Sequence, residues 1–222
     1  LSLTHKIHMT MLAESSAIVA ELVSGGEAPE INMMIGVGVV KDSEAVLFHY
    51  VGKEELPQAL IHPSTGNPLK RLCNIKLVGL DIAKNIGTEN ATKLNVILEL
   101  GNGNNVLVTS GIQTWWSQCV MTGLFGLFQN GLLTESFNLE SYRGKTGRRP
   151  IFASIRCPEL YSDKELYAIL MADRKSKAWK SYEQTMATFV SDLNKALKSP
   201  ASAQDEVKEV LVEVAPVVEG DF

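Results

Sequence analysis

A basic segment flanked by aromatic rings, residues 142–156, holds the side chains best suited to ligand chemistry in this sequence. It has five cations and no carboxylate, although the whole chain has a formal net charge of −4. The cations are Arg143, Lys145, Arg148, Arg149 and Arg156, and the rings belong to Tyr142 and Phe152. Because cations follow a phosphate backbone while ring faces stack on unpaired bases, the segment predicts an interface for single-stranded nucleic acid. A solvated basic turn is the plainer interpretation of the same residues.

Patterns for catalysis or metal binding are weak in the rest of the chain. The four histidines and three cysteines show no metal-ligand spacing, since His5 and His8 lie near no further ligand in the sequence. We therefore predict no catalytic residue, no metal and no cofactor. One alternative is left open, because Asp81 and Glu99 fall on strands that could be adjacent. Paired carboxylates there would suit a metal-dependent nuclease.

The elements that position the basic segment follow from the periodicity of residues 72–157. Apolar residues alternate along strands up to residue 109, with Gly79 favouring a bulge and 101–105 a turn. Helical spacing follows at 113–129, with Thr114 as a cap and Gly131 as a stop. Strands return at 136–142 and 150–157, which makes the basic segment a turn between two strands. On the helix, we expect Trp116 in the core and Trp115 partly exposed, as an additional ring for the ligand.

This order of three strands, one helix and two strands resembles the OB-fold, a five-stranded, partly open barrel that often binds oligonucleotides. The resemblance implies an α+β protein whose β-β-β-α-β-β core spans residues 72–160. Residues 1–71 then form an extension, with a helix at 9–23, a hairpin of strands 31–40 and 45–51, and a loop-rich linker at 53–71. Residues 161–200 are predicted to be helical and to pack on the core. Arg174, Lys175, Lys177 and Lys180 either extend the binding track or form a solvated face.

The last 22 residues carry the negative charge. Residues 201–222 contain six carboxylates and one lysine, a net charge of −5, which leaves +1 for the first 200 residues. The acidic stretch ends in Asp221 and Phe222, and this ending resembles the tip of bacterial and podophage single-stranded-DNA-binding proteins. The resemblance implies that Phe222 enters an apolar pocket of a replication or recombination protein while Asp221 meets its basic rim. This tail is richer in valine than those tips, and an unpartnered frayed terminus is the alternative.

Composition places the chain among globular proteins. Its 222 residues are 45% hydrophobic and 21% charged, enough for a sizeable core and a polar surface. No apolar run reaches the roughly 18 residues that span a bilayer, and we expect no secretory signal and no membrane contact. Three widely spaced cysteines indicate no disulfide framework, so a reducing, cytoplasmic location is the expectation.

Together these features predict a non-enzymatic single-stranded-DNA-binding protein that is largely indifferent to base sequence and recruits partners through its acidic tail. Binding of RNA and self-association are left open. The alternative is a structural or adaptor module of a phage, plasmid or mobile-element assembly, in which the 142–156 hairpin contacts protein or RNA.

Overall fold

The computed structural model describes residues 29–40, 43–51, 56–86, 91–145 and 150–199. Several predictions lie outside these residues: the helix at 9–23, the cations Arg148 and Arg149, and the tail with Asp221 and Phe222.

Within the described residues, nine strands form one open sheet. They are β1 (Ile31–Val37), β2 (Leu47–Val51), β3 (Leu56–Ala59), β4 (Arg71–Ile86), β5 (Ala91–Glu99), β6 (Asn105–Gly111), β7 (Phe137–Arg143), β8 (Ile151–Cys157) and β9 (Glu159–Tyr161). Their order is β3-β2-β1-β6-β5-β4-β7-β8-β9, and every neighbouring pair is antiparallel except β1 and β6. With three helices beside the sheet, the predicted α+β class is confirmed.

The described strands do not form a closed five-stranded barrel. β6 pairs in parallel with β1, and the strand beside β8 on its outer side is β9, so β6 and β8 do not meet in the sheet. The N-terminal hairpin of β1 and β2 is confirmed, and it extends the sheet at β6. The predicted barrel is not confirmed, because a strand from the N-terminal extension occupies the edge of β6 that closure would need.

The predicted linker also contains a strand. β3 pairs with β2, and Pro57 lies opposite Tyr50. Proline is tolerated there because β3 is the outermost of the described strands, and an edge strand has one side that needs no sheet hydrogen bonds. The proline content that favoured a linker at 53–71 therefore marks an edge strand over Leu56–Ala59.

The long strand β4 joins the two halves of the sheet. Its first residues pair with β7 and the rest with β5. The register shifts between Leu72 and Ile75, where Asn74 has a φ of 52°. A second shift between Leu77 and Gly79 confirms the predicted bulge. Irregularities of this kind locally bend a strand and increase its twist.

The three helices are α1 (Trp115–Gln129), α2 (Lys164–Ser176) and α3 (Trp179–Lys198). α1 begins as predicted, since the hydroxyl of Thr114 accepts a hydrogen bond from the backbone N–H of Ser117 at 3.1 Å. It ends before Gly131, which has a φ of 71°. The helical segment that follows is divided by Lys177, whose left-handed φ of 57° ends α2.

Helix α1 packs against β8 and fixes the core beneath the basic hairpin. A Cβ atom at Gly123 would lie 3.0 Å from the Ile155 side chain, so the glycine allows close approach. Trp116 is completely buried, as predicted, and its indole N–H donates to the hydroxyl of Ser141 at 2.9 Å. This hydrogen bond satisfies the polar atom of the buried ring and sets the position of α1 against β7.

Candidate nucleic-acid interface

Two rings of the basic segment form a pair on the surface of the β7–β8 hairpin. Tyr142 and Phe152 lie directly opposite each other in the antiparallel register. Their ring centroids are 6.0 Å apart and the ring planes differ by 28°. Tyr142 is 42% exposed, while Phe152 is partly buried. A cross-strand aromatic pair is stabilising in a hairpin, and here it also leaves ring surface open to a ligand.

A third ring extends this pair. Trp115, at the first position of α1, lies 5.8 Å from Phe152 between centroids and is partly exposed, as predicted. Neighbouring positions on a helix point about 100° apart, which is why Trp116 enters the core while Trp115 reaches the hairpin. We call Tyr142, Phe152 and Trp115 the ring row.

One end of the ring row is enclosed by a cation. The guanidinium carbon of Arg174, on the last turn of α2, lies 4.3 Å from the centroid of Trp115, 5.3 Å from that of Tyr182 and 5.7 Å from that of Trp179. Because the guanidinium covers Trp115, less of that ring is available to bases than its exposure at the helix start suggests. No spacing in the sequence indicated this arrangement, since the rings around Arg174 come from α1 and α3.

Two of the predicted cations are exposed on the β7–β8 hairpin. Lys145 follows β7 and is exposed. Arg156 is also exposed, and it lies on the same face of β8 as Phe152 because side chains two residues apart share a face. The carboxylate of Glu140 lies in the same region, but it forms an ion pair with Arg71 at 3.0 Å. Lys145 and Arg156 are therefore the cations of this segment, among the described residues, that could contact a phosphate backbone.

Arg143 has a different role from the one that its charge suggested. Its Nη2 donates hydrogen bonds to the backbone carbonyls of Ser43, at 2.8 Å, and Ala45, at 3.0 Å. Arg143 follows Tyr142 directly, so the two side chains point to opposite faces of the sheet. In this geometry Arg143 ties the β7–β8 hairpin to the segment between β1 and β2, and we leave it out of the interface.

The three exposed lysines near Arg174 form no ion pair with another described residue. They are Lys175, Lys177 and Lys180. Their charge is compatible with an extended binding track and equally with a solvated face, so the extension stays a prediction.

Burial raises the pKa values of two groups at and near the ring row, the Tyr142 phenol and the Cys119 thiol. Burial is the main cause of the raised pKa of Tyr142, assisted by Cys119 and Glu140 and opposed by Arg156. The phenol is therefore neutral at physiological pH and does not repel phosphate. Burial also raises the pKa of Cys119, against a hydrogen bond to the Ala153 backbone and the charge of Arg174. A partly buried, protonated thiol is a poor nucleophile, so Cys119 is a packing residue of α1.

The carboxylates considered for a nuclease lie on neighbouring strands but far apart along them. Asp81 is opposite Asn95, whereas Glu99 is opposite Lys76. Four residues along β5 separate the two positions, which is about 13 Å. Among the described residues, no group of three or more His, Cys, Asp and Glu side chains is arranged to hold a metal ion.

The sequence matches no protein-family model, and neither the curated proteins nor the solved structures contain a match. In the part of the chain that the structure describes, no helix is long and apolar enough to cross a membrane.

Proposed function

We propose that this protein binds single-stranded DNA, largely independently of base sequence, with the ring row as its stacking surface. The observation that supports this most is the contiguity of Tyr142, Phe152 and Trp115 on one surface, with Lys145 and Arg156 exposed on the same β7–β8 hairpin. Stacking contributes about 1–3 kcal/mol per base and depends little on base identity. RNA offers the same base faces and phosphates, so the chemistry admits it as a ligand.

We further propose that residues 71–157 are an OB-like core that has been opened. The support is that β4 pairs with both β5 and β7, while α1 lies between β6 and β7 in the chain. Strand β1 then occupies the edge of β6 that would complete a barrel. In this arrangement the β7–β8 hairpin is the loop between the last two strands, a position that contacts ligand in OB-folds.

Binding is tested by fluorescence anisotropy with a labelled oligothymidylate, using Tyr142→Ala as the decisive variant. We expect Tyr142→Ala to weaken binding about 5- to 100-fold, because one stacking surface is lost. Tyr167→Ala is the matched control, since Tyr167 is 39% exposed and lies on α2 outside the ring row. A duplex of the same length should bind more weakly, because its bases are paired. Absence of binding by the unaltered protein, or equal binding by Tyr142→Ala, would overturn the proposal.

The acidic tail is proposed to recruit replication or recombination proteins through Asp221 and Phe222. The support is its sequence alone, a run of carboxylates that ends in an aromatic residue.

Individual exposed apolar side chains on β9 and α2 favour the second candidate, a structural or adaptor module. Leu160 is 55% exposed on β9, and Tyr167 and Ile169 are 39% and 40% exposed on α2. Exposed large apolar side chains offer contacts to a partner protein, although Tyr167 and Ile169, two positions apart on α2, lie on different sides of the helix. A gel-shift comparison of single-stranded DNA, duplex DNA and RNA separates the two functions, because an adaptor that contacts only protein would shift none of them.

A further inference from the structure

Arg174 is held by hydrogen bonds as well as by rings. Its Nε donates to Oε1 of Gln118 at 2.9 Å. Its Nη2 lies 3.3 Å from both the backbone carbonyl of Thr114 and the hydroxyl of Tyr182. The guanidinium is therefore fixed in direction, and a planar fork of this kind cannot be replaced by a lysine ammonium.

Apart from the contact with Tyr182 on α3, these contacts bear on the start of α1. Thr114 is the cap of that helix, Trp115 is its first residue, and Gln118 lies one turn further on. Through them the last turn of α2 is bound to the first turn of α1. The position of Trp115 beside Phe152 therefore depends on where Arg174 is held.

The arrangement includes an unfavourable feature that stability alone does not explain. Gln118 is completely buried, and its Nε2 has no hydrogen-bond partner among the described residues. An unpaired buried donor is destabilising, and a leucine of similar size would avoid it. The carbonyl oxygen of the Gln118 amide accepts the hydrogen bond from Nε of Arg174, and this acceptor orients the guanidinium.

We infer that Arg174 is a positioning residue for the binding of single-stranded DNA. Arg174 orders Trp115, and through Trp115 it orders Phe152, but it does not contact phosphate. The inference rests on the proposed function. It distinguishes Arg174 from the neighbouring lysines, whose charge is exposed, and it links the α2–α3 pair to the stacking surface on the β7–β8 hairpin.

The salt dependence of binding separates positioning from phosphate contact. Each phosphate neutralised on a single strand contributes about 0.7 to the slope of log affinity against log salt. We expect Arg174→Lys to weaken oligothymidylate binding by about fivefold or more with an unchanged slope, because stacking and not charge is lost. A phosphate contact would instead survive in Arg174→Lys, and Arg174→Gln would lower the slope by about 0.7.

A double-mutant cycle with Trp115→Ala tests whether Arg174 acts through that ring. If it does, Arg174→Lys weakens binding in the unaltered background and adds little once Trp115 is alanine. Full additivity of the two changes would overturn the inference.

Gln118→Leu provides a variant that is expected to fold even if Arg174→Lys does not. It removes the acceptor for Nε and also the unpaired amide, so we expect near-unaltered thermal stability with weaker binding. Unaltered affinity in Gln118→Leu would count against positioning. Failure of the unaltered protein to bind would instead remove the proposed function, so the two failures are distinguishable.

Discussion

At the scale of single residues, neighbouring positions in the basic segment have unlike roles. Tyr142 is exposed on one face of the hairpin, whereas Arg143 turns to the other face and donates hydrogen bonds to two carbonyls. The two-residue period of a strand could have separated them in the sequence, because adjacent side chains point to opposite faces. Arg174 could not have been assigned in this way, since its partners lie on α1 and α3 and no local period connects them.

The partly buried thiol of Cys119 gives a prediction about alkylation. Because burial raises the pKa of Cys119, less reactive thiolate is present at a given pH, and reaction should begin only as pH rises further. With iodoacetamide at pH 8, peptide mapping by mass spectrometry should show slow labelling of Cys119. Cys73 is exposed and provides the internal control. Labelling of both at the same rate would mean that α1 does not pack against β8 as described.

At the scale of elements, local signals were sufficient for α1 and insufficient for strand pairing. Thr114 and Gly131 mark the ends of α1 by chemistry that acts within one turn, and both ends were predicted correctly. The parallel pairing of β1 with β6 joins residues more than 70 positions apart. The alternation of apolar and polar residues shows that each strand has an apolar face, but it does not show which strands are neighbours. The open sheet was therefore beyond local reasoning, while its strands were mostly within it.

Two arginines of the β7–β8 hairpin should show opposite behaviour when each is replaced by alanine. Arg143→Ala removes two charge-assisted hydrogen bonds and should lower the free energy of unfolding by about 1.5–3 kcal/mol, with an unchanged salt slope of DNA binding. Arg156→Ala should leave stability nearly unaltered, because the side chain is exposed, and should lower the slope by about 0.7. Urea unfolding and salt-dependent anisotropy measure the two quantities. Equal slopes for all three proteins would remove Arg156 from the interface.

At the scale of the whole molecule, charge is divided between a slightly basic body and an acidic tail. The tail carries −5 over residues 201–222, and α3 ends shortly before it at Lys198. A tethered segment has an effective concentration in the millimolar range, far above that of a free peptide in a binding assay. Even a weak attraction to the cations of the hairpin would therefore compete with a nucleic-acid strand.

Deleting residues 204–222 should accordingly raise the affinity of the protein for single-stranded DNA. The increase should be largest at low salt and should shrink as salt is added, because the Debye length falls from about 30 Å at 0.01 M to about 10 Å at 0.1 M ionic strength. Phe222→Ala is the matched control, since it keeps every side-chain charge of the tail while removing the terminal ring. It should leave DNA affinity unchanged and weaken only the binding of tail-dependent partners. An affinity that stays equal or decreases on deletion, in anisotropy titrations at fixed low salt, would exclude competition by the tail.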